Sequence, residues 1–315
     1  MKFLISFILF SILFLASLAA LIISVDPYDK LGNNPFGFET KAVAQSRENK
    51  FIMFDNSKEK YEAVILGSST AHRIPTQIVQ ELTNLKTFNY SAQHTSPEDY
   101  LAIIRHIISK NIPRHIFLQI GFIEMNKNYK TDNRLYNSSL NKFLTGKQSE
   151  TLFDNNYFTL DAIRDSLRVI YVNKFGEALH SNYTEDGNYK KETLKPGPVK
   201  FSQAGYGAWE LDQKRVGFLR EIKQMCIKNK IALTVFTAPL SYPHILLAQK
   251  AQGYQEYIAV MKKTFGSFWD FHHISLKPYD TYKEFQNSSH PTKEFSAEMM
   301  RRMITGKGLS IGIYR

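Results

Sequence analysis

The stretch VILGSSTAHRI, Val64 to Ile74, breaks a run of apolar residues into Gly67-Ser68-Ser69-Thr70. A serine at such a break can act as a nucleophile if a base takes its proton and N–H donors hold the oxyanion that forms. Ser69 is the candidate nucleophile, with its own backbone N–H and one from the next loop as donors. His290, in NSSHP near the start of the last helix, is the candidate base. The bland alternative is a pair of serines that cap a helix and a histidine that merely occupies a loop. His72, His94 and His244 read as polar loop residues, since no pair among them has the short helical spacing of a zinc site. In Asp270-Phe271-His272-His273 a strand puts Asp270 and His272 on one face, as metal ligands or a substitute acid, and turns His273 away.

Chemistry at these positions requires an α/β sheet whose loops bring them together. Ala63 to Ser69, Leu85 to Ser91 and His115 to Phe122 read as the first three strands, and Ile231 onward (IALTVFTAPL) and SFWDFHH as the fourth and fifth. Their short apolar runs suit strands buried on both faces. Helices are expected after Pro75, from Pro97 with Ser96 as N-cap, from Trp209 to Asn229, from about Ile245 to Phe265, and from Thr292. Strands alternating with helices predict a parallel five-stranded sheet covered on both sides, a three-layer α/β/α sandwich. Ligands then bind beyond the carboxyl ends of the strands. The loops there hold Ser68–His72, Ser91–His94, Glu124–Asn126, Pro239–His244 and Asn287–His290.

Residues 1–25 read as a transmembrane anchor, because Phe3 to Val25 carries no charge and is long enough to cross a bilayer. A cleavable signal ending near Ser17-Leu18-Ala19 is the competing reading, but the apolar run continues past that site. Lys2 favours a cytoplasmic amino terminus and a folded domain on the far side, in a bacterial periplasm or on the cell surface. Residues 26–60 read as a tether and 61–315 as the domain, with an insertion at about 124–206. The lone cysteine, Cys226, excludes an intramolecular disulfide. A net charge of +11, spread along the chain, suits a surface near anionic headgroups or glycans more than a nucleic-acid partner. No cofactor or metal is expected.

The order GSS after strand one, NYSAQ after strand two, IGFIEMN after strand three and NSSHP before the last helix resembles the SGNH (GDSL-like) hydrolase superfamily. With the anchor followed by DPY, the chain looks most like the membrane-anchored branch related to alginate O-acetylation proteins and to D-alanyl transfer proteins of teichoic acid modification. The resemblance implies a flavodoxin-like sheet. It also implies Ser69 as nucleophile and His290 as base, with Asn287 where the family's DxxH aspartate sits and Ser69, Ser91 and Glu124 at the oxyanion or substrate. Its implied partners are an envelope polysaccharide or acylated glycan and a membrane acyltransferase. The departures are Ser68 for the acid of GDS, Ser91 for the oxyanion glycine and Ile123 for the asparagine of GxND. The last removes a side-chain donor. Two rivals stand beside the activity that the resemblance implies, an acyltransferase or esterase acting on ester-linked acyl groups of an envelope or exopolysaccharide: a catalytically inactive glycan-binding or scaffold module, and an α/β-hydrolase using Ser69, Asp270 and His290.

Overall fold

The computed structural model describes residues 2–27, 35–38, 46–129, 135, 138–146, 158–175, 183–190, 208–272, 285, 290–307 and 311–315. Six strands form one sheet: β1 (Ala63–Leu66), β2 (Thr87–Asn89), β3 (His115–Ile120), β4 (Ala232–Thr237), β5 (Trp269–Asp270) and β6 (Ile313–Tyr314), in the order β2-β1-β3-β4-β5-β6. The first five are parallel and β6 is antiparallel to β5. Among the described residues the α-helices are α1 (Lys2–Val25), α2 (Ser46–Asn56), α3 (Thr76–Thr83), α4 (Pro97–Lys110), α5 (Asn141–Thr145), α6 (Leu160–Phe175), α7 (Gln213–Lys228), α8 (Tyr242–Lys250), α9 (Tyr254–Phe265) and α10 (Lys293–Thr305).

Strand alternation sends successive side chains to opposite faces, and both faces are covered. Val64 and Leu66 of β1 with Ile116, Leu118 and Ile120 of β3 pack against Leu101 of α4, Leu219 of α7 and Met261 of α9. Ala63, Ile65 and Phe117 face the other way, onto Val79 of α3 and Phe295 and Met299 of α10. Helix α4 begins as its sequence predicts. Pro97 occupies the first turn, and the Asp99 carboxylate accepts the Ser96 backbone N–H at 2.9 Å, an arrangement worth about 1 kcal/mol.

The sheet differs from the expected five parallel strands by its sixth, antiparallel edge. Gly312, at φ +68°, turns the chain where a Cβ would collide with the Phe271 ring. Phe268 and Arg315 then exchange both backbone hydrogen bonds, and Arg315 Nε donates to Asp270 Oδ2 at 2.5 Å. The short β5 thus gains a covered edge. A second difference falls in the stretch read as a tether, where residues 46–56 form α2 with Phe54 in the core. A third splits the helix expected from Ile245 to Phe265 into α8 and α9. Gly253, at φ +103°, lies so close to the Trp209 ring that no side chain fits there.

Candidate functional site

The serine turn is fixed by polar side chains from the neighbouring strands. Gly67 ends β1 where a Cβ would overlap Ala71 and Gln119, so the chain can press against β3 only with glycine there. Gln119 Oε1 accepts the Ser68 backbone N–H at 3.2 Å and the Thr70 hydroxyl at 2.6 Å. From the other side Asn89, the last residue of β2, donates its amide to Ala71 O at 2.9 Å and to Ile74 O at 3.0 Å. These two buried amides hold the start and the end of the turn on which Ser69 stands.

His290 arrives from the opposite end of the chain. Thr292 caps α10 by accepting the Phe295 N–H, and Pro291 bridges to Phe285. On the residue just before Pro291 the imidazole reaches the serine, with His290 Nε2 2.9 Å from Ser69 Oγ. That is within the reach a general base needs. Burial first, then the nearby Arg73 and His94, push the His290 imidazole down to about 4. It is therefore neutral at pH 7 and able to accept a proton, but its surroundings penalise the imidazolium that would form. Asn287 lies outside the described residues.

Ser91 is fully buried beside the turn, zipped there by Ala92 N–H to Gly67 O at 3.1 Å. Its own N–H donates to Asn89 Oδ1 at 3.1 Å. The amide that the resemblance assigns to the oxyanion is thus engaged by Asn89 in this structure. Glu124 is buried behind Ser68, where its Oε2 accepts from Tyr100 Oη at 2.8 Å and from Gly121 N–H at 2.9 Å. Burial outweighs these donors and raises its carboxyl to about 7. Ile123 occupies a one-turn 3₁₀ helix with Glu124 and Met125 and offers no side-chain donor.

Helix α2 braces the second loop of the site, a role invisible to a reading of this stretch as tether. Arg47, fully buried, pairs with Asp99 at 2.5 Å and donates to His94 O at 2.8 Å. Ser46 Oγ accepts the Gln93 N–H at 3.0 Å. Lys50 Nζ donates to Asn89 O at 2.5 Å and to Gly187 O, and lies 4.2 Å from the centre of the Tyr183 ring. Burial holds that amine well below its ordinary value. The Tyr183–Tyr189 segment of the insertion packs against the serine turn, with the Tyr189 N–H on His72 O and the Arg73 guanidinium over the Tyr189 ring.

Asp270 is fully buried and tied to Arg315 and to the His272 backbone N–H. Its carboxylate serves the sheet edge, and the strand order sets β1 next to the β2 edge; both features count against the α/β-hydrolase arrangement. His272 is buried near Asp270, while His273 lies outside the described residues. Cys226 is buried, with its thiol pushed up to about 12. Among the described residues no group of three or more potential metal ligands forms. Neither the models of known protein families nor the curated proteins include a match to this chain.

Proposed function

We propose that this chain is a membrane-anchored, extracytoplasmic acyltransferase or esterase of the SGNH type, acting on ester-linked acyl groups of an envelope polysaccharide. The single observation that carries the reading is the 2.9 Å contact between Ser69 Oγ and His290 Nε2 in the loops that follow β1 and precede α10. Ser69 attacks the acyl carbonyl while His290 takes its proton, and the oxyanion rests on backbone N–H donors that include Ser69. The alcohol leaves with the proton from His290. Water or a sugar hydroxyl, deprotonated by the same histidine, then releases the acyl group. For Ser91 to join the oxyanion donors, its N–H must exchange Asn89 Oδ1 for the substrate oxygen. A helix long and apolar enough to cross a membrane supports the anchored location.

A scaffold or glycan-binding module of a polysaccharide acylation complex is the second reading. The engagement of the Ser91 N–H by Asn89 favours it, as does Ile123 in the place of a donor. Ser69→Ala separates the two. In the enzyme reading it lowers hydrolysis of a small acyl ester by on the order of 10⁴-fold or more and abolishes glycan acylation in cells, while Asn287→Asp leaves activity intact or raises it. Full glycan acylation with the Ser69→Ala protein at normal abundance moves the assignment to the scaffold.

A further inference from the structure

Helix α6 lies in the insertion, yet its inner side packs on the anchor. Val169 and Ile170 of α6 meet Leu21 and Val25 in the last turns of α1. The earlier part of α1, from Phe3 to Leu15, is largely bare. About 20 helical residues cross the hydrocarbon core of a bilayer, and counted from Phe3 that length ends near Ile22. The contact with α6 therefore falls at the level of the headgroups.

The outer side of α6 carries a second feature that has no use in water. Leu160, Leu167, Tyr171 and Phe175 are 85%, 55%, 53% and 63% exposed, and their spacing puts all four on one stripe of the helix. Alternating with them on the same stripe are the exposed Arg164, Arg168 and Lys174. The buried residues Ala162, Asp165, Ser166, Val169 and Val172 occupy the opposite side. Apolar and aromatic residues interleaved with basic ones, on a helix lying in the interface plane, form the pattern that binds an anionic bilayer surface. A soluble partner would not require the contact to sit at the end of a membrane span.

We infer that α6 is a membrane-docking helix: its Leu160–Phe175 stripe lies in the headgroup layer at the carboxyl end of α1, with Arg168 and Lys174 on anionic lipid, and it holds the domain against the bilayer. The inference rests on α1 spanning the membrane and is independent of the chemistry at Ser69.

The full chain carries the test. Tyr171→Cys is labelled with an environment-sensitive fluorophore; Cys226 stays in place because its buried thiol does not react. The protein is reconstituted at low density into vesicles of phosphatidylcholine and phosphatidylglycerol, and resistance to alkaline extraction reports insertion of α1 separately. Docking predicts blue-shifted emission, quenching by lipids bearing a nitroxide near the headgroup, and shielding from aqueous iodide. Arg168→Gln with Lys174→Gln, or omission of phosphatidylglycerol, should lower the docked-to-undocked ratio, by roughly five-fold for each charge removed. In inserted protein, a label that iodide reaches and lipid nitroxide does not overturns the inference. So does a label shielded from both, which means that protein covers the stripe. A ratio unchanged by loss of the charges overturns the assignment to anionic lipid.

Discussion

Ser69 and His290 meet in one site but are held by opposite kinds of surroundings. On the serine side, Asn89 and Gln119 satisfy the turn's carbonyl and N–H groups, and Lys50 and Arg47 of α2 hold the loop beside it. On the histidine side, the two neighbours that shift the imidazole after burial are basic residues, Arg73 and His94. One side spends buried polar groups on position, and the other disfavours protonation. The comparison teaches that the place of Ser69 is over-determined by the fold, whereas the basicity of His290 is set by burial first and then by a few nearby basic groups.

The largest effect expected from breaking this contrast is at Asn89. Asn89→Ala strips donors from Ala71 O and Ile74 O and the acceptor from the Ser91 N–H, all of them buried. Leaving such groups unpaired should cost about 3 kcal/mol or more, read as an earlier midpoint in urea unfolding. Ester hydrolysis should fall with it, because the turn carrying Ser69 loses its inner support. A variant as stable and as active as the wild type would show that the turn is held by something else.

Glu124 tests the serine side by a different route. Its carboxyl is raised to about 7 from an ordinary value of 4.5, so between those values the folded protein binds the proton more tightly than the unfolded chain does. That contribution is fully present below pH 4.5 and is lost as the pH rises through 7. Glu124→Gln has no proton to lose, so relative to it the wild type should lose on the order of 2–3 kcal/mol between pH 5 and pH 8. His106 and His115, both lowered to about 4 by burial, act with the opposite sign in part of this window. They are common to both proteins and cancel in the difference. A wild type and variant whose unfolding midpoints run parallel across this range would remove the buried acid from behind Ser68.

The sequence carries the fold unevenly, and the reason is locality. Helix α4 is legible because Ser96, Pro97 and Asp99 act within one turn and its isoleucines recur at helical spacing. The strand β1 and the serine after it are legible because apolar residues end abruptly at a glycine. Helix α2 is not, since its short apolar run Phe51–Phe54 is flanked by charges, and Arg47 and Lys50 find partners in Asp99, His94, Asn89 and Gly187, far along the chain. The two-residue β6 is below the length at which alternation carries a signal. At the site, the residue types of Ser69 and His290 suffice to nominate them. Asn89 and Gln119 escape notice because an asparagine or glutamine near the end of a strand looks the same whether its amide points to solvent or to polar groups of another loop. The signal that could have found Asn89 is its place in NYSAQ, as the first residue of a block already singled out.

The smallest effect, and the one that most sharpens the comparison, lies at Arg73. If its guanidinium is among the charges that hold His290 near 4, then Arg73→Gln removes a cation without removing burial, the larger cause. The imidazole should therefore rise toward its ordinary 6.5 only in part, by about one unit or less. The sign follows from which form is the base. In the proposed mechanism neutral His290 accepts the Ser69 proton, so activity would fall when the pH drops below its pKa, and the acid limb of kcat/KM for ester hydrolysis should stand near pH 4 in the wild type. In Arg73→Gln that limb should move to higher pH. Histidine-selective NMR titration in detergent follows the same proton without any demand for turnover, so a scaffold protein would show the shift as clearly as an enzyme. A His290 titration that stays in place or moves to lower pH in the variant would mean that Arg73 spends its charge on the Tyr189 ring, and that the weak base is a product of burial alone.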